Sequence, residues 1–381
     1  MVRLIWCDSR ADGKVRMEAR SGYTRTPRRC ASSRWLTLHV VRETKAMQVN
    51  DQQAMQIAIN SANRARLISR PNPWVGAVVV TQTGEIFEGS TSRAGGPHAE
   101  INALTSAGKL ARGATLYSTL EPCNHTGRTG PCTQAIISAG ITRVVVGITD
   151  PDPKVSGSGV ACLREAGITI EVGVLANEIA SQLKAYIHHR TTKRPFVVLK
   201  MAATLDGRTA APDGTSMWIT GETARKRVQQ LRAESDAVLV GANTVRIDDP
   251  QLTVRDVEGD SPRRIVLGEV SKSARVNPCT QWRGALVDLL DELGSQDVLQ
   301  LLVEGGPTVA AAFHRENLIN QYIFHIAPAL TGGNDSLPIF ETGGISTMAQ
   351  LWRGKIVASQ QLGDDLEIIL EPNSTQQETQ K

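Results

Sequence analysis

The sequence predicts an α/β protein of two domains, on three observations. Val-rich apolar runs of strand length alternate with stretches of helical period through both halves of the chain. The length, 381 residues, exceeds what one ordinary core fills. A charged break ending in proline, Arg190-Thr191-Thr192-Lys193-Arg194-Pro195, separates the two alternating patterns. The expected divisions are a leader over 1–46, one domain over 47–192, a second over 193–372 and a disordered tail over 373–381.

Composition narrows the class. With 41% hydrophobic and 21% charged residues, and no apolar run of membrane-span or secretory length, the chain reads as soluble and globular. Six cysteines are too few for a disulfide scaffold of this size, which fits a reducing cytoplasm. Residues 1–46 carry 11 Lys/Arg against 4 Asp/Glu, leaving 31 basic and 34 acidic residues in the rest. The basic excess therefore belongs to the leader, and neither a nucleic-acid nor a membrane partner is inferred from it. The leader is Arg- and Ser-rich, as a transit peptide would be. The preferred reading is an upstream start that is no part of the fold, with Met47 as the working start.

The elements follow in order. Asn50 or Asp51 caps a helix whose apolar positions are Ala54, Met55, Ala58, Ile59, Ala62 and Ala65. Pro71-Asn72-Pro73 opens a loop, and 75–80 is a strand buried on both faces. A turn at 83–85 leads to a second strand at 86–87. Helix 98–107, strand 114–119, helix 132–139 with Gly140 as its C-cap, and strand 143–148 come next. Residues 160–174 repeat helix and strand, and 177–189 reads as one helix. After the break come strand 196–201, helix 222–233, strands 237–240 and 264–267, helix 285–293, strand 298–303, helix 308–316, and strands 322–327 and 365–370.

The chemistry of the first half lies between residues 97 and 132. Pro97-His98-Ala99-Glu100, Glu121-Pro122-Cys123 and Gly130-Pro131-Cys132 set one imidazole, two thiols and one carboxylate at strand-to-helix junctions. Three protein donors leave a tetrahedral zinc one open position, the mark of a catalytic rather than a structural site. A structural site would want a fourth His or Cys. His125 is the sole further donor near, and it is expected in the substrate pocket together with Arg128. A helix start favours anions, so Cys132 there is disposed to bind as thiolate. His-x-Glu with two downstream cysteines is the donor pattern of zinc nucleobase deaminases, in which the Glu moves protons and is not a ligand. The second cysteine here comes nine residues after the first rather than three. Cys7, Cys30, Cys162 and Cys279 have no partner spacing and read as free thiols.

Two features mark the second half. Val303-Glu304-Gly305-Gly306-Pro307-Thr308 is a strand passing through glycines into a helix start, a place where backbone N–H groups can meet phosphate. Asn243 to Pro250 is an acidic loop after a buried strand. Neither is specific alone, and no Gly-x-Gly-x-x-Gly fingerprint follows a strand.

Taken together, from about Met47 to Pro372, these residues resemble the bifunctional deaminase/reductase family of bacterial riboflavin synthesis. In the first half the resemblance rests on Asn72-Pro73-Trp74-Val75-Gly76, Pro97 to Glu100 and Glu121 to Cys132, including the wide cysteine spacing. In the second it rests on Lys200, Leu205 to Ala210, Ser216 to Thr220, Leu231-Arg232-Ala233, Thr244 to Pro250, Leu252 to Arg255 and Val303 to Thr308. It implies a cytidine-deaminase-like three-layer domain followed by a dihydrofolate-reductase-like α/β domain. The first would hydrolyse the ring amino group of a diamino, ribosylamino-pyrimidinone 5′-phosphate. His98, Cys123 and Cys132 would hold Zn2+, and Glu100 would pass the proton. The second would use NADPH to reduce the ribosyl group to ribityl. Ala203, Trp218, Thr244, Asp248 and Gly306, Pro307, Thr308, Val309, Ala310, Ala311 and Ala312 would touch the dinucleotide, with Asp248 nearest the hydride-transfer centre. Ser216, Arg232, Leu252, Arg255 and Glu304 would bind substrate, both arginines facing its 5′-phosphate. The family also tends to form homo-oligomers through its reductase domains.

The chain departs from the family in four respects. Trp74 and Asn124 stand where Asn and Ser are more usual, both expected near the pyrimidine. Gly268-Glu269 replaces the usual Asp-Ser. The 264–303 segment is a few tens of residues shorter, which thins the expected dinucleotide site. The runner-up reading follows: a deaminase whose trimmed second domain does not reduce. A nucleic-acid-editing deaminase would want a basic, aromatic-rich surface, and the chain is 4% aromatic with an acidic catalytic body. A non-catalytic zinc scaffold would leave Glu100 without a task.

Overall fold

The computed structural model describes residues 49–125, 130–152, 155–341 and 344–373. The expectations for the leader with Met47, for Cys7, Cys30 and Arg128, and for the tail beyond 373 lie outside the described residues. Within them the α/β expectation holds. The first half forms one five-stranded sheet and the second an eight-stranded sheet, with a separate two-stranded ribbon.

In the first half, α1 (Asp51–Ala65) starts at Asn50, whose Oδ1 accepts the Gln53 N–H at 2.9 Å while Gln53 reaches back to the Asn50 N–H. It is followed by β1 (Gly76–Val80), β2 (Ile86–Ser90), α2 (Ala99–Ala107), a 3-10 turn, β3 (Thr115–Leu120), α3 (Cys132–Ala139), β4 (Arg143–Ile148), α4 (Ser158–Glu165) and β5 (Thr169–Val172). The strand order is β2-β1-β3-β4-β5, with β1 antiparallel to β2 and β3, and β3, β4 and β5 parallel. The helices lie hard against the sheet. A Cβ on Gly76 would stand 1.9 Å from the Ala58 carbonyl oxygen, and one on Gly89 2.2 Å from that of Ala99. That second close approach seats the start of α2 and hence His98.

The stretch 177–189 is not one helix. It divides into α5 (Ala176–Gln182) and α6 (Lys184–Thr192) at buried Leu183, whose φ and ψ of −95° and 13° leave the helical region. The break follows a tertiary demand: the Gln182 carbonyl accepts the Trp74 indole N–H at 3.2 Å, and its amide donates to Ile59 O and Asn63 Oδ1.

The second half contains β6 (Phe196–Thr204), β7 (Arg208–Ala210), α7 (Glu222–Ala233), β8 (Ala237–Gly241), α8 (Ala242–Asp248), β9 (Arg263–Leu267), β10 (Thr280–Trp282), α9 (Leu286–Ser295), β11 (Gln300–Val303), α10 (Pro307–Arg315), β12 (Gln321–Ala327), β13 (Leu337–Pro338), β14 (Gly354–Leu362) and β15 (Asp365–Pro372). The large sheet runs β10-β9-β8-β11-β6-β12-β15-β14. Its first six strands are parallel, and β15 and β14 close it antiparallel. Sequence periodicity did not reveal β7, β10, β13 and β14. The first three are two or three residues long, and β14 is an exposed edge strand, so none carries an alternating apolar face. The acidic 243–250 segment is helix α8 with Asp249 as a left-handed cap, not a loop.

The shortened 264–303 segment still closes into β9, β10 and α9 on the sheet edge. The apolar core is continuous from the first sheet into one face of the second, and a second cluster fills the opposite face. Charged ties reinforce the junction: Arg66 pairs with Glu234 at 3.0 Å, Lys184 with Glu371 at 3.0 Å, and Arg70 donates to Ser235 O.

Candidate active sites

The first site is assembled from three helix or strand ends. Glu121, just past β3, is buried and accepts N–H bonds from Asp150, Gly157, Gly159 and Val160 at 2.9–3.2 Å. This ties the end of β3 to the start of α4 and fixes the backbone that presents Cys123. Cys132 opens α3 and His98 is the residue before α2. The His98 Nδ1 lies 3.5 Å from Cys123 Sγ and 3.4 Å from Cys132 Sγ. Tetrahedral bonds of about 2.0 Å to nitrogen and 2.3 Å to sulfur separate such donors by about 3.5 Å, so the three fit a zinc ion. No fourth His, Cys, Asp or Glu joins the group among the described residues. His125 is exposed and stands outside it.

The two thiols are unequal. The Cys132 thiol and the imidazole beside it hold Cys123 down at about 4, and the Cys132 N–H points at the same sulfur at 3.5 Å, while Cys123 and burial push Cys132 up, so the thiolate character expected at the α3 start falls on Cys123. Glu100, in the first turn of α2 and 3% exposed, is pushed up to about 7 by burial, against the pull of His98. A carboxyl poised there can both take and return a proton. Replacing Cys123 by Ser is expected to strip the zinc while leaving the second sheet folded, as metal analysis and circular dichroism would show. Full zinc retention would remove Cys123 from the ligand set.

Trp74 is built into the packing between helices. It is 3% exposed, its N–H goes to Gln182 and Arg66 lies over its ring at 5.7 Å, so it joins α1 to α5. Asn124 accepts from the Thr133 hydroxyl at 2.7 Å and braces the first turn of α3. Cys162 and Cys279 carry free thiols.

The second site is a cleft of about 1200 Å3 over the carboxyl ends of β6, β8 and β11, between α7, α8 and α10. It brings together Ser216, Trp218, Arg232, Thr244, Asp248, Leu252, Arg255, Glu304 and Gly306 to Val309. The N-termini of α8 and α10 meet there, since a Cβ on Gly306 would come within 3.2 Å of Thr244 Oγ1. Two adjacent helix starts, opened by glycine, suit a dinucleotide diphosphate. Ala203, Ala310 and Ala311 have buried methyl groups outside the cleft lining, and Ala312 packs against the second core. Ser216 Oγ stands 3.5 Å from Asp248 Oδ1, and burial raises the Asp248 carboxyl. Trp218 is 70% exposed, with the Arg225 guanidinium 4.7 Å from its ring centre.

Arg232 is committed differently from expectation. Its Nε and Nη2 donate to both Glu304 oxygens at 2.6 and 2.8 Å, and its Nη1 to Thr253 O. Arg232 thus orients Glu304, whereas Arg255, which also lines the cleft, makes no ion pair among the described residues. Burial opposes charge on Glu304, but Arg232 prevails and holds it below the usual range. Lys200 also lines the cleft; burial lowers it, while Glu304 and Glu367 pull it back up. Its signal in the sequence was a single lysine inside an otherwise apolar strand.

Two family models match the chain. One, described as the cytidine and deoxycytidylate deaminase zinc-binding region, covers residues 48–148, and the other, described as the RibD C-terminal domain, covers 195–368. The riboflavin biosynthesis protein RibD of Aquifex aeolicus is 40% identical, over 84% of this chain and 97% of that protein. That of Escherichia coli is 37% identical over 84% and 98%. Among solved structures, Acinetobacter baumannii RibD superposes with a TM-score of 0.81 at 38% identity, covering 85% of this chain and 99% of that one. A Thermotoga maritima diaminohydroxyphosphoribosylaminopyrimidine deaminase/5-amino-6-(5-phosphoribosylamino)uracil reductase gives 0.76 at 36% identity, covering 84% and 98%.

Proposed function

Since the chain belongs to the RibD family of riboflavin-biosynthesis proteins, we infer how its own residues divide that family's two reactions. The protein is a zinc-dependent deaminase and an NADPH-dependent reductase. The first reaction removes the amino group of 2,5-diamino-6-(5-phosphoribosylamino)pyrimidin-4-one, and the second converts the ribosyl group to ribityl. The deaminase-only alternative is not favoured. A reductase family model spans 195–368 despite the short 264–303 segment, and the cleft is retained.

For the first reaction we assign His98, Cys123 and Cys132 as zinc ligands and Glu100 as the proton carrier. Bound zinc supplies Lewis acidity at an open fourth position, where water becomes a nucleophile near neutral pH. Glu100 would carry one proton of the attacking water to the ring nitrogen and then the second, from the hydroxyl so formed, to the departing amine, which leaves as ammonia. Burial keeps its carboxyl near neutrality, so both transfers are within reach. The observation that carries this reading is the His98 Nδ1 3.4–3.5 Å from both cysteine sulfurs, all three donors within 4.8 Å of one another, with a buried Glu two residues from the imidazole.

For the second reaction we assign the α8 and α10 starts, through Thr244 and Gly306 to Val309, to the dinucleotide. Arg255 takes the substrate 5′-phosphate, and Arg232 holds Glu304 toward the sugar. NADPH, when bound, supplies the hydride. Lys200 Nζ donates a proton to the ribose ring oxygen as the ring opens, and Asp248 with Ser216 frames the reduced carbon. We place the domain boundary near residue 193.

No described helix is long and apolar enough to cross a membrane. We place the enzyme in the cytoplasm, a reading supported by its free thiols. We also propose a homo-oligomer, supported by the exposed edge strand β14 with Ile356 and Val357. A monomer mass in light scattering at micromolar concentration would dismiss it.

The test of the whole is direct. Given the diamino substrate, the intact protein should release ammonia and then oxidise NADPH. Ammonia release with no NADPH oxidation would sink the second half.

A further inference from the structure

A row of polar side chains crosses the reductase sheet beneath the cleft. In the strand register Lys200 stands opposite Ile323, His325 opposite both Ala202 and Glu367, and Glu367 opposite Gln360. Opposed residues share a sheet face, as do alternate residues of one strand, so Lys200, His325, Glu367 and Gln360 all lie on the same side. Helix α7 covers it, with Arg227 Nε 3.4 Å from Glu367 Oε2 and Arg232 on Glu304. Lys200 opens to the cleft; His325 and Glu367 do not, both being 0% exposed.

The pair has a defined chemistry. His325 Nε2 stands 2.9 Å from Glu367 Oε2, and Gln360 donates to Oε1 at 2.6 Å. Burial opposes ionisation of Glu367, yet His325, Gln360 and Arg227 together hold it at about 2. Burial pushes His325 down, leaving a neutral ring that donates from Nε2, with Nδ1 buried and unpartnered. A buried, incompletely matched polar pair contributes little to stability over apolar packing. Its field, however, falls on Lys200. Burial and the Arg232 charge disfavour the Lys200 ammonium, and Glu304 and Glu367 are the two carboxylates that oppose them.

We propose that Glu367, locked in place by His325, is a positioning residue of the reductase site that keeps Lys200 protonated for its part in the reduction. This rests on the proton-donor assignment of Lys200. The charged and titratable groups on this face are Glu304 after β11, Lys200 on β6, His325 on β12, Glu367 and Asp365 on β15, Arg225, Arg227 and Arg232 on α7, and Glu234 as the cap of α7. Asp365 accepts the Gly221 N–H at 2.7 Å, and Glu234 pairs with Arg66 at 3.0 Å and with the Nη1 of Arg227 at 3.4 Å, while the Nε of Arg227 faces Glu367.

The experiment is the pH dependence of kcat for NADPH oxidation by the full chain supplied with deaminated substrate. Glu367→Gln removes a negative charge, so the lysine loses its proton at lower pH and the alkaline limb should move down by about one unit. Arg227→Gln removes a positive charge from the same carboxylate, so its limb should move up. It remains a test if Glu367→Gln does not fold, because Arg227 approaches from the covering helix. Ammonia release should be untouched in both. A uniform loss of kcat at every pH with the limb unmoved, or limbs moving the same way in both variants, would overturn the proposal. If Lys200→Met retains reduction, the underlying assignment fails instead.

Discussion

Glu100→Gln is expected to lower ammonia release by about 10²–10⁴-fold while the protein keeps its zinc. The amide nearly matches the carboxyl in volume, so the buried pocket at the start of α2 is preserved, and none of the three donor atoms is touched. What disappears is the group that can accept a proton from water and release it to the leaving amine. Reduction should survive, because Glu100 has no part in the cleft at the carboxyl ends of β6, β8 and β11. The variant given deaminated substrate should therefore oxidise NADPH at the wild-type rate. Ammonia release within threefold of wild type would show that Glu100 is not the proton carrier.

Lys200→Met should produce the converse result: NADPH oxidation down by about 10²-fold or more, with ammonia release intact. A hundredfold loss corresponds to about 2.7 kcal/mol of transition-state stabilisation, within the reach of one proton donor. The fold has little reason to suffer. Glu304 remains held by Arg232 through two hydrogen bonds, so removing the lysine does not orphan a buried carboxylate. Methionine also approximates the lysine stem, which preserves packing along β6. Unchanged kcat would remove Lys200 from the reaction, and a raised KM for NADPH alone would make it a binding group. Together the two variants test whether the reactions are chemically separable within one continuous core.

The zinc site was legible because its information is local. His98 and Glu100 are two residues apart at one helix start, and Cys123 and Cys132 flank a single loop, so spacing and the strand–helix rhythm sufficed. The structure adds the distances and the buried state of Glu100. The packing role of Trp74 was not legible for the opposite reason. Its partner, the Gln182 carbonyl, lies 108 residues away, and the same bond accounts for the unexpected break between α5 and α6. Arg232 likewise looked like a phosphate ligand until Glu304, 72 residues downstream, was seen to occupy it. Lys200 was visible as a charge in an apolar strand, but its task depends on what stands beside it.

From the sequence alone came the layered α/β class, the two-part organisation, the His/Cys/Cys donor set with a Glu two residues from the imidazole, and the family resemblance. All of these depend on residue type at short, fixed separations. Only the tertiary structure decided how charge is arranged within the second domain: which arginine is spent on Glu304, which lines the cleft without an ion pair, and that His325 and Glu367 meet on the face that carries Lys200. Those pairings follow from strand order and register. A one-residue slip in β12 or β15 would send His325 or Glu367 to the other face, and no local pattern in the chain records that choice.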